Sequence, residues 1–416
     1  MIYLAVVILL LFLLYYYDVK GNETRKGFWY GFTLFTLILI SGLRYRVGGD
    51  TINYLYNYYH LIPCVWDISS ANYDEVSYEP LFYLFNSLVK SLGVPFFVFQ
   101  LLHALIVNGL IFLYFRRHSN YLFTCVLFYF VWMFPMYNFE EMRASMSLVI
   151  CLFANDYYIE RKWLKGLALF AVASLFHYSA IVLLVITPLS LFLRVNFLGA
   201  LFLIFSFALG YVIQSKFGDY LMLFDMNDRM AAKASNYANS DFYFEQRMTF
   251  RAFLVTIVPY FFYSFVTVLF LRMKSMFTDN KDDSLIRLQP FLMLGLTFAL
   301  FSVPMPICYR FTRFYIVYFI LYFSYLFCGW IRASHEISAP VALLRSLVVF
   351  VPIFNLISHI YKNPIRESSK AHPYYAYEKY YPYSSIFEKS ISERREQLYN
   401  ELVSIDISKK PNAEEY

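Results

Sequence analysis

Long apolar runs, broken by short charged stretches, recur along almost the whole chain. A helix that crosses a bilayer needs about 20 largely apolar residues, within a range of about 17–25. By that rule the chain offers about twelve candidate spans, at residues 2–17, 28–43, 94–115, 121–139, 142–158, 164–176, 179–193, 196–214, 252–271, 288–303, 309–331 and 341–359. The pair flanking His177 is short and reads equally as one long span plus an interfacial piece. Residues 80–92 are too few and too polar to span, which predicts an interfacial or re-entrant helix. The first apolar run has no basic segment before it and no small-residue cleavage site before Asp18, so it reads as a retained span. The expected fold is an all-α integral membrane bundle over residues 1–360, followed by a polar, Tyr-rich tail at 361–416. No internal repeat or pair of Gly/Pro-broken spans of the kind found in many transporters is visible.

Composition supports this pattern. The chain is 60% hydrophobic and only 15% charged over 416 residues, whereas soluble chains carry about 25% charged residues. Its 40 Tyr and 46 Phe suit a bilayer and its interfaces. The net charge of +6 is spread between apolar runs rather than gathered in a basic domain, so nucleic acid is not expected as a partner. Short basic loops instead report orientation. Lys20, Arg25 and Lys26, then Arg116 and Arg117, then Arg161, Lys162 and Lys165, then Arg272, Lys274 and Lys281 all fall on one side if that side is the cytoplasm. Residues 44–79 and 215–250 then lie outside. The five cysteines form no CxxC pair, and several sit inside apolar runs, where a thiol acts as a small hydrophobe.

Charged residues sorted by depth give the candidate chemistry. Arg44, Arg46, Arg143, Arg251, Arg310 and Arg313 all fall on the outer face, against the positive-inside bias. An arginine at mid-bilayer costs about 2.5–3.5 kcal/mol, and less near the interface. These six therefore need partners, either Glu140, Glu141 and Asp50 or an anionic ligand held bidentately by guanidinium forks. Arg310 and Arg313, three residues apart, share one helix face. His177, near the outer end of an apolar run, is a candidate proton acceptor, with a histidine satisfied by a backbone carbonyl as the plain alternative. His103, near the middle of a span, is expected to bond within the bundle. Gly48 and Gly49 beside Asp50 read as a tight turn. Asp74 and Glu75 could ligate Mg²⁺ or Mn²⁺, though solvated loop charge explains them as well. No metal site or cofactor is expected, and no P-loop, GxSxG, HExxH or GxGxxG motif is present.

Several short motifs, taken together, resemble the EpsG-like family of bacterial exopolysaccharide and O-antigen (Wzy-like) polymerases. Leu43, Arg44 and Tyr45 followed by Gly48, Asp50 and Tyr54 are similar to the family's R-Y-x-x-G-x-D element. Arg143 is similar to its mid-chain arginine, with Ala144 where the family often has Gln. Phe176, His177, Ser179 and Ala180 are similar to F-H-x-S-A. Arg310 or Arg313 before Phe314 and Tyr315 resembles a late R-x-x-x-aromatic stretch, and Tyr381, Pro382, Tyr383 and Ser384 resemble a tail element. The resemblance implies a multi-pass protein of the bacterial inner membrane that joins undecaprenyl-pyrophosphate-linked oligosaccharide repeat units, alongside other polysaccharide assembly proteins and membrane lipid. His177, Arg143 and Arg310 become catalytic candidates. Arg44, Asp50, Arg46, Arg251 and Arg313 become candidates for binding pyrophosphate or sugar. Two other readings stay open: a GT-C-type glycosyltransferase using loop carboxylates, and a lipid-linked oligosaccharide flippase or other transporter.

Overall fold

The computed structural model describes residues 2–70, 76, 78–222, 282–305, 308–332, 376–389 and 391–402, and these are organised almost wholly as helices. The first apolar run forms α1 (Ile2–Leu13), which widens into a π-helical turn, Leu14–Val19. After the first basic loop come α2 (Lys26–Gly42) and the short α3 (Thr51–Tyr56). The stretch 80–92 is the amphipathic helix α4 (Pro80–Ser91), begun by a proline at its first position, where the missing N–H costs nothing. Then follow α5 (Phe96–His118), α6 (Leu122–Trp132), α7 (Met142–Ile159), α8 (Trp163–Phe176), α9 (Ser179–Ser190) and α10 (Phe197–Met222). Beyond these lie α11 (Gln289–Phe301), α12 (Tyr309–Arg313), α13 (Ile316–Arg332) and α14 (Glu393–Leu402).

Several boundaries differ from the periodicity. The run 121–139 breaks after Trp132, and a separate turn, Met136–Glu140, follows Pro135. Proline has no N–H for the preceding turn, and its ring crowds the carbonyl there. The runs on either side of His177 are two separate helices, as the spans at 164–176 and 179–193 expect, because His177 adopts an extended conformation with φ −157° and ψ 123°. Ile2–Val19 and Phe96–His118 are long and apolar enough to cross a membrane, while α6, α8, α9 and α11 are apolar but shorter. The expected spans at 252–271 and 341–359 lie outside the described residues, as do Arg272, Lys274 and Lys281.

Apolar side chains cover much of the outside as well as the core. Large apolar side chains face outward along α1, α2, α8, α9 and α10, among them Ile8, Phe12, Phe32, Leu167, Val185 and Phe205. Patches of that size are untenable in water unless covered. The interior is a large apolar and aromatic core that also carries hydrogen-bonded polar side chains. Asn138 accepts from Asn108 (2.7 Å) and Ser41 (3.2 Å), Tyr129 donates to Asn108 (2.8 Å), and Asn155 donates to Tyr318 (2.7 Å). His103 Nε2 sits 3.0 Å from the Met142 carbonyl, and it too is satisfied inside. Close packing depends on small residues. A Cβ on Gly42 would fall 2.8 Å from the Leu101 Cα, so α2 can press against α5 only without one.

The helix ends gather at two faces. At one, Lys26 reaches the Asn120 carbonyl and Arg117 pairs with Glu160, joining three of the basic loops. At the other lie the loop after α2, the start of α7, the break at His177 and α12. The C-terminal segment packs here as well. The Tyr45 N–H donates to the Ser384 carbonyl (2.9 Å), the Ile386 N–H to Leu43 (2.9 Å), and the Tyr399 hydroxyl to Arg46 (2.7 Å). The described part of the tail is therefore packed onto the bundle, opposite the basic loops.

Candidate functional site

The loop after α2 is built around a buried guanidinium. Arg44 donates from Nε to the Val47 carbonyl (3.3 Å) and from Nη1 to Ser41, and its plane lies over the Phe139 ring. Its fork is engaged in holding the chain and reaches the Met142 sulfur. Gly48 then turns with φ +102°, a conformation that suits glycine, while pressed against the Phe139 backbone. The turn is fixed from across the site. Glu140 accepts from the Gly49 N–H (2.8 Å) and the Asp50 N–H (3.1 Å), and Thr51 donates to the Phe139 carbonyl (3.1 Å). Asp50 remains accessible at the lip. Partial burial and the neighbouring Glu140 charge push its carboxyl up to about 6, against the opposing pull of Lys379, Arg143 and Arg310.

Beside this turn is a three-residue arrangement centred on Glu79. Glu79 precedes Pro80, which biases it toward extended backbone, and it shows φ −71° and ψ 152°. Its carboxylate accepts from Arg143 Nη1 (2.9 Å) through Oε2 and meets His177 Nδ1 (2.9 Å) through Oε1. The Tyr178 N–H lies 3.5 Å from the same Oε1. His177 reaches it because the chain is extended between α8 and α9, with its own N–H on Ala173 and its carbonyl receiving Ala180. Burial alone would raise the Glu79 carboxyl, but the His177 hydrogen bond and the Arg143 charge outweigh it and hold the group at about 2. An ionised Glu79 selects the tautomer with the proton on Nδ1 and directs the Nε2 lone pair away from itself. The His177 side chain is 21% exposed and the Glu79 side chain 4%.

The remaining candidates are distributed unevenly. Arg143 opens α7, pairs with Glu79 and lies over the Tyr78 ring. Arg313 pairs with Glu141 and stacks over Tyr309, while Tyr137 donates to its carbonyl. The pair Arg310 and Arg313 is thus not a bare double clamp, because a half-buried cation takes a carboxylate when one is in reach. Arg310 contributes to the field at Asp50. Arg46 has φ +48°, lies over the Tyr45 ring and gives its carbonyl to Tyr399. Arg251, Asp74 and Glu75 lie outside the described residues. Sequence reading overlooked Glu79 and Lys379 as site residues and offered Glu140 only as a partner for the outer arginines. The available signal was Glu79 immediately before Pro80 and an amphipathic helix.

An apolar-faced, all-helical arrangement with charged residues gathered at its helix ends is consistent with a helical membrane protein. The chain matches the EpsG family over residues 27–385, and it belongs to that family. Membership gives it a membrane polysaccharide polymerase-like role, with glycosyltransferase-like chemistry. No curated protein and no solved structure matches the chain.

Proposed function

We propose that the protein is a multi-pass polymerase of the bacterial cytoplasmic membrane, which joins undecaprenyl-pyrophosphate-linked repeat units at its outer face during capsule, exopolysaccharide or O-antigen synthesis. The observation that carries this reading is the Glu79–His177 pair beside Arg143. His177 Nε2 takes the proton of the acceptor sugar hydroxyl. The hydroxyl oxygen attacks the anomeric carbon of the donor chain, and the bond from that carbon to the pyrophosphate breaks. The electron pair leaves with the lipid-linked pyrophosphate. The transition state is oxocarbenium-like, as in other glycosyl transfers.

Glu79 is a positioning residue that fixes the tautomer and steadies the imidazolium formed during transfer. Arg310 and Arg143 stabilise charge developing on the leaving group, because fixed cations at a poorly hydrated site need no reorganisation. Arg46, Arg251 and Arg313 add to the positive field, and Arg44 keeps the turn in shape. Asp50 at the lip binds sugar hydroxyls.

The test is polymerisation of lipid-linked repeat units by the purified protein, read as a ladder on a gel, together with surface glycan from a deletion strain. Loss of the long-chain ladder with one repeat unit retained is expected on deletion, and activity should survive EDTA. Loss on chelation, restored by Mg²⁺ or Mn²⁺, would transfer the reading to a GT-C-type glycosyltransferase. A deletion strain with an unchanged ladder would remove the polymerase reading.

A further inference from the structure

The C-terminal segment brings a lysine to the glycine turn. Its backbone is stitched on both sides of that residue: the Gly48 N–H donates to the Lys379 carbonyl (3.0 Å), and the Tyr399 hydroxyl approaches the same oxygen (3.4 Å). Downstream, Ser384 and Ile386 bond to Tyr45 and Leu43. Such fixing makes the position of Lys379 a property of the fold rather than of a loose tail. Its ammonium, however, is not used by the fold. Among the described residues Lys379 Nζ has no hydrogen bond and no carboxylate oxygen within 4.0 Å. Glu140, the nearest candidate, gives its two oxygens to the N–H groups of Gly49 and Asp50. The Asp50 carboxylate likewise has no hydrogen-bond partner among the described residues.

Gly49 supplies an independent observation. Its φ lies outside the left-handed region, so backbone freedom does not explain the glycine. Space does. A Cβ there would stand 3.2 Å from both Glu140 Oε2 and Lys379 Nζ. A side chain there would push against both groups. The bare turn lets the Glu140 carboxylate and the Lys379 ammonium come close to the backbone, with the exposed Asp50 beside them.

We propose that Lys379 is a substrate-contacting residue, whose ammonium binds a phosphate oxygen of the lipid-linked substrate beside the glycine turn and so completes the site from the C-terminal segment. The proposal rests on the polymerase reading and names the phosphate contact within it. A lysine binds phosphate as a point charge and needs no fork geometry. A cation carried by the tail also explains why the tail is tied to the turn at several backbone positions rather than one.

The test uses the full-length protein in detergent and undecaprenyl pyrophosphate as the probe. In the native protein the probe should protect Lys379 from an amine-acetylating reagent, read by mass spectrometry, whereas undecaprenol, which lacks phosphate, should not. Lys379→Met should weaken probe binding by about tenfold or more, the weight of one charge-assisted contact. Lys379→Arg should stay close to the native affinity. His177→Ala and Glu79→Gln, which lose turnover, should still bind the probe. Equal acetylation of Lys379 with and without the probe would overturn the proposal, as would native affinity in Lys379→Met. If turnover still depends on His177, the polymerase reading survives that failure. A native protein that does not bind the probe at all would end both.

Discussion

Two histidine–carboxylate pairs lie at opposite ends of the bundle, and their surroundings separate structure from chemistry. At the basic face, His118 Nε2 meets Asp156 Oδ2 at 3.0 Å, while Tyr114 donates to Asp156 Oδ1 (3.2 Å) and Arg117 lies 3.4 Å from Oδ2. Both side chains are sealed, at 8% and 5% exposure, and the Tyr114 ring packs 4.3 Å from the imidazole. At the site face, His177 spends Nδ1 on Glu79, and Nε2 has no partner among the described residues. The chemistry of the two pairs is nearly the same. Access differs: the pair at His118 ties α5 to α7, and the pair at His177 is the one whose imidazole is accessible enough for the base role proposed above.

The largest effect expected from this contrast is kinetic. His177→Gln should lower turnover about 10²- to 10⁴-fold, the usual weight of a general base, with the protein still folded. His118→Gln should leave turnover per folded molecule close to native and lower the melting temperature, since a buried partner is lost. Polymerisation rate and detergent-solubilised melting, measured on both variants, decide the matter. Equal kinetic losses would abolish the distinction between the two pairs.

Glu79→Gln tests the tautomer. A glutamine amide can donate to Nδ1 and so favour the imidazole that carries its proton on Nε2, where it can no longer accept one. The expected loss approaches that of His177→Gln, as when the orienting carboxylate of a catalytic triad is made neutral. Glu79→Asp, which keeps the charge, should recover part of the rate. A Glu79→Gln variant of native activity would leave the carboxylate with a packing role only.

pH sharpens the comparison more gently. Asp50, lifted to about 6, becomes neutral as pH falls through that value, so turnover should drop several-fold toward about pH 5. Asp50→Asn cannot titrate and should show a lower, flatter acid limb. Glu79 is depressed from 4.5 to about 2. Its pairing therefore contributes stability that is complete above 4.5 and disappears as pH falls from there through about 2. Melting temperature against pH should decline in that window for the native chain and less for Glu79→Gln. Identical acid melting curves would contradict the ionised Glu79.

The smallest functional effect comes from the probe of sidedness. Cysteines placed at Phe387 and Lys162, both exposed and on opposite faces, should leave activity almost unchanged. An impermeant maleimide should label the first in intact cells and spare the second. The reverse pattern would invert the orientation and remove the outer-face site.

Much of the architecture was legible in the order of residues. Apolar runs bounded by charge located α1, α2, α5, α7, α8 and α9, and Pro80 marked the start of α4. The glycines beside Asp50 announced the turn, and His177 and Arg143 were visible as candidates because each interrupts or opens an apolar run. These features are local. A helix is set by hydrogen bonds four residues apart and by the solvent its faces meet, so neighbours in sequence are enough to define it.

The partnerships were another matter. Glu79 meets residues 98 and 64 positions away, Glu140 holds a backbone N–H 91 positions back, and Lys379 arrives from the far end of the chain. The placement of charges left the six outer arginines to Glu140, Glu141 and Asp50 or to an anion; Arg313 takes Glu141, one of those offered, whereas Arg143 takes Glu79, which was not among them. Coulombic and hydrogen-bond partners are chosen by distance in space, which only the packing of one helix against another determines. That packing decided that Glu79 meets His177 and Arg143 where the imidazole is partly exposed, while Asp156, a carboxylate of the same chemistry, is sealed with His118.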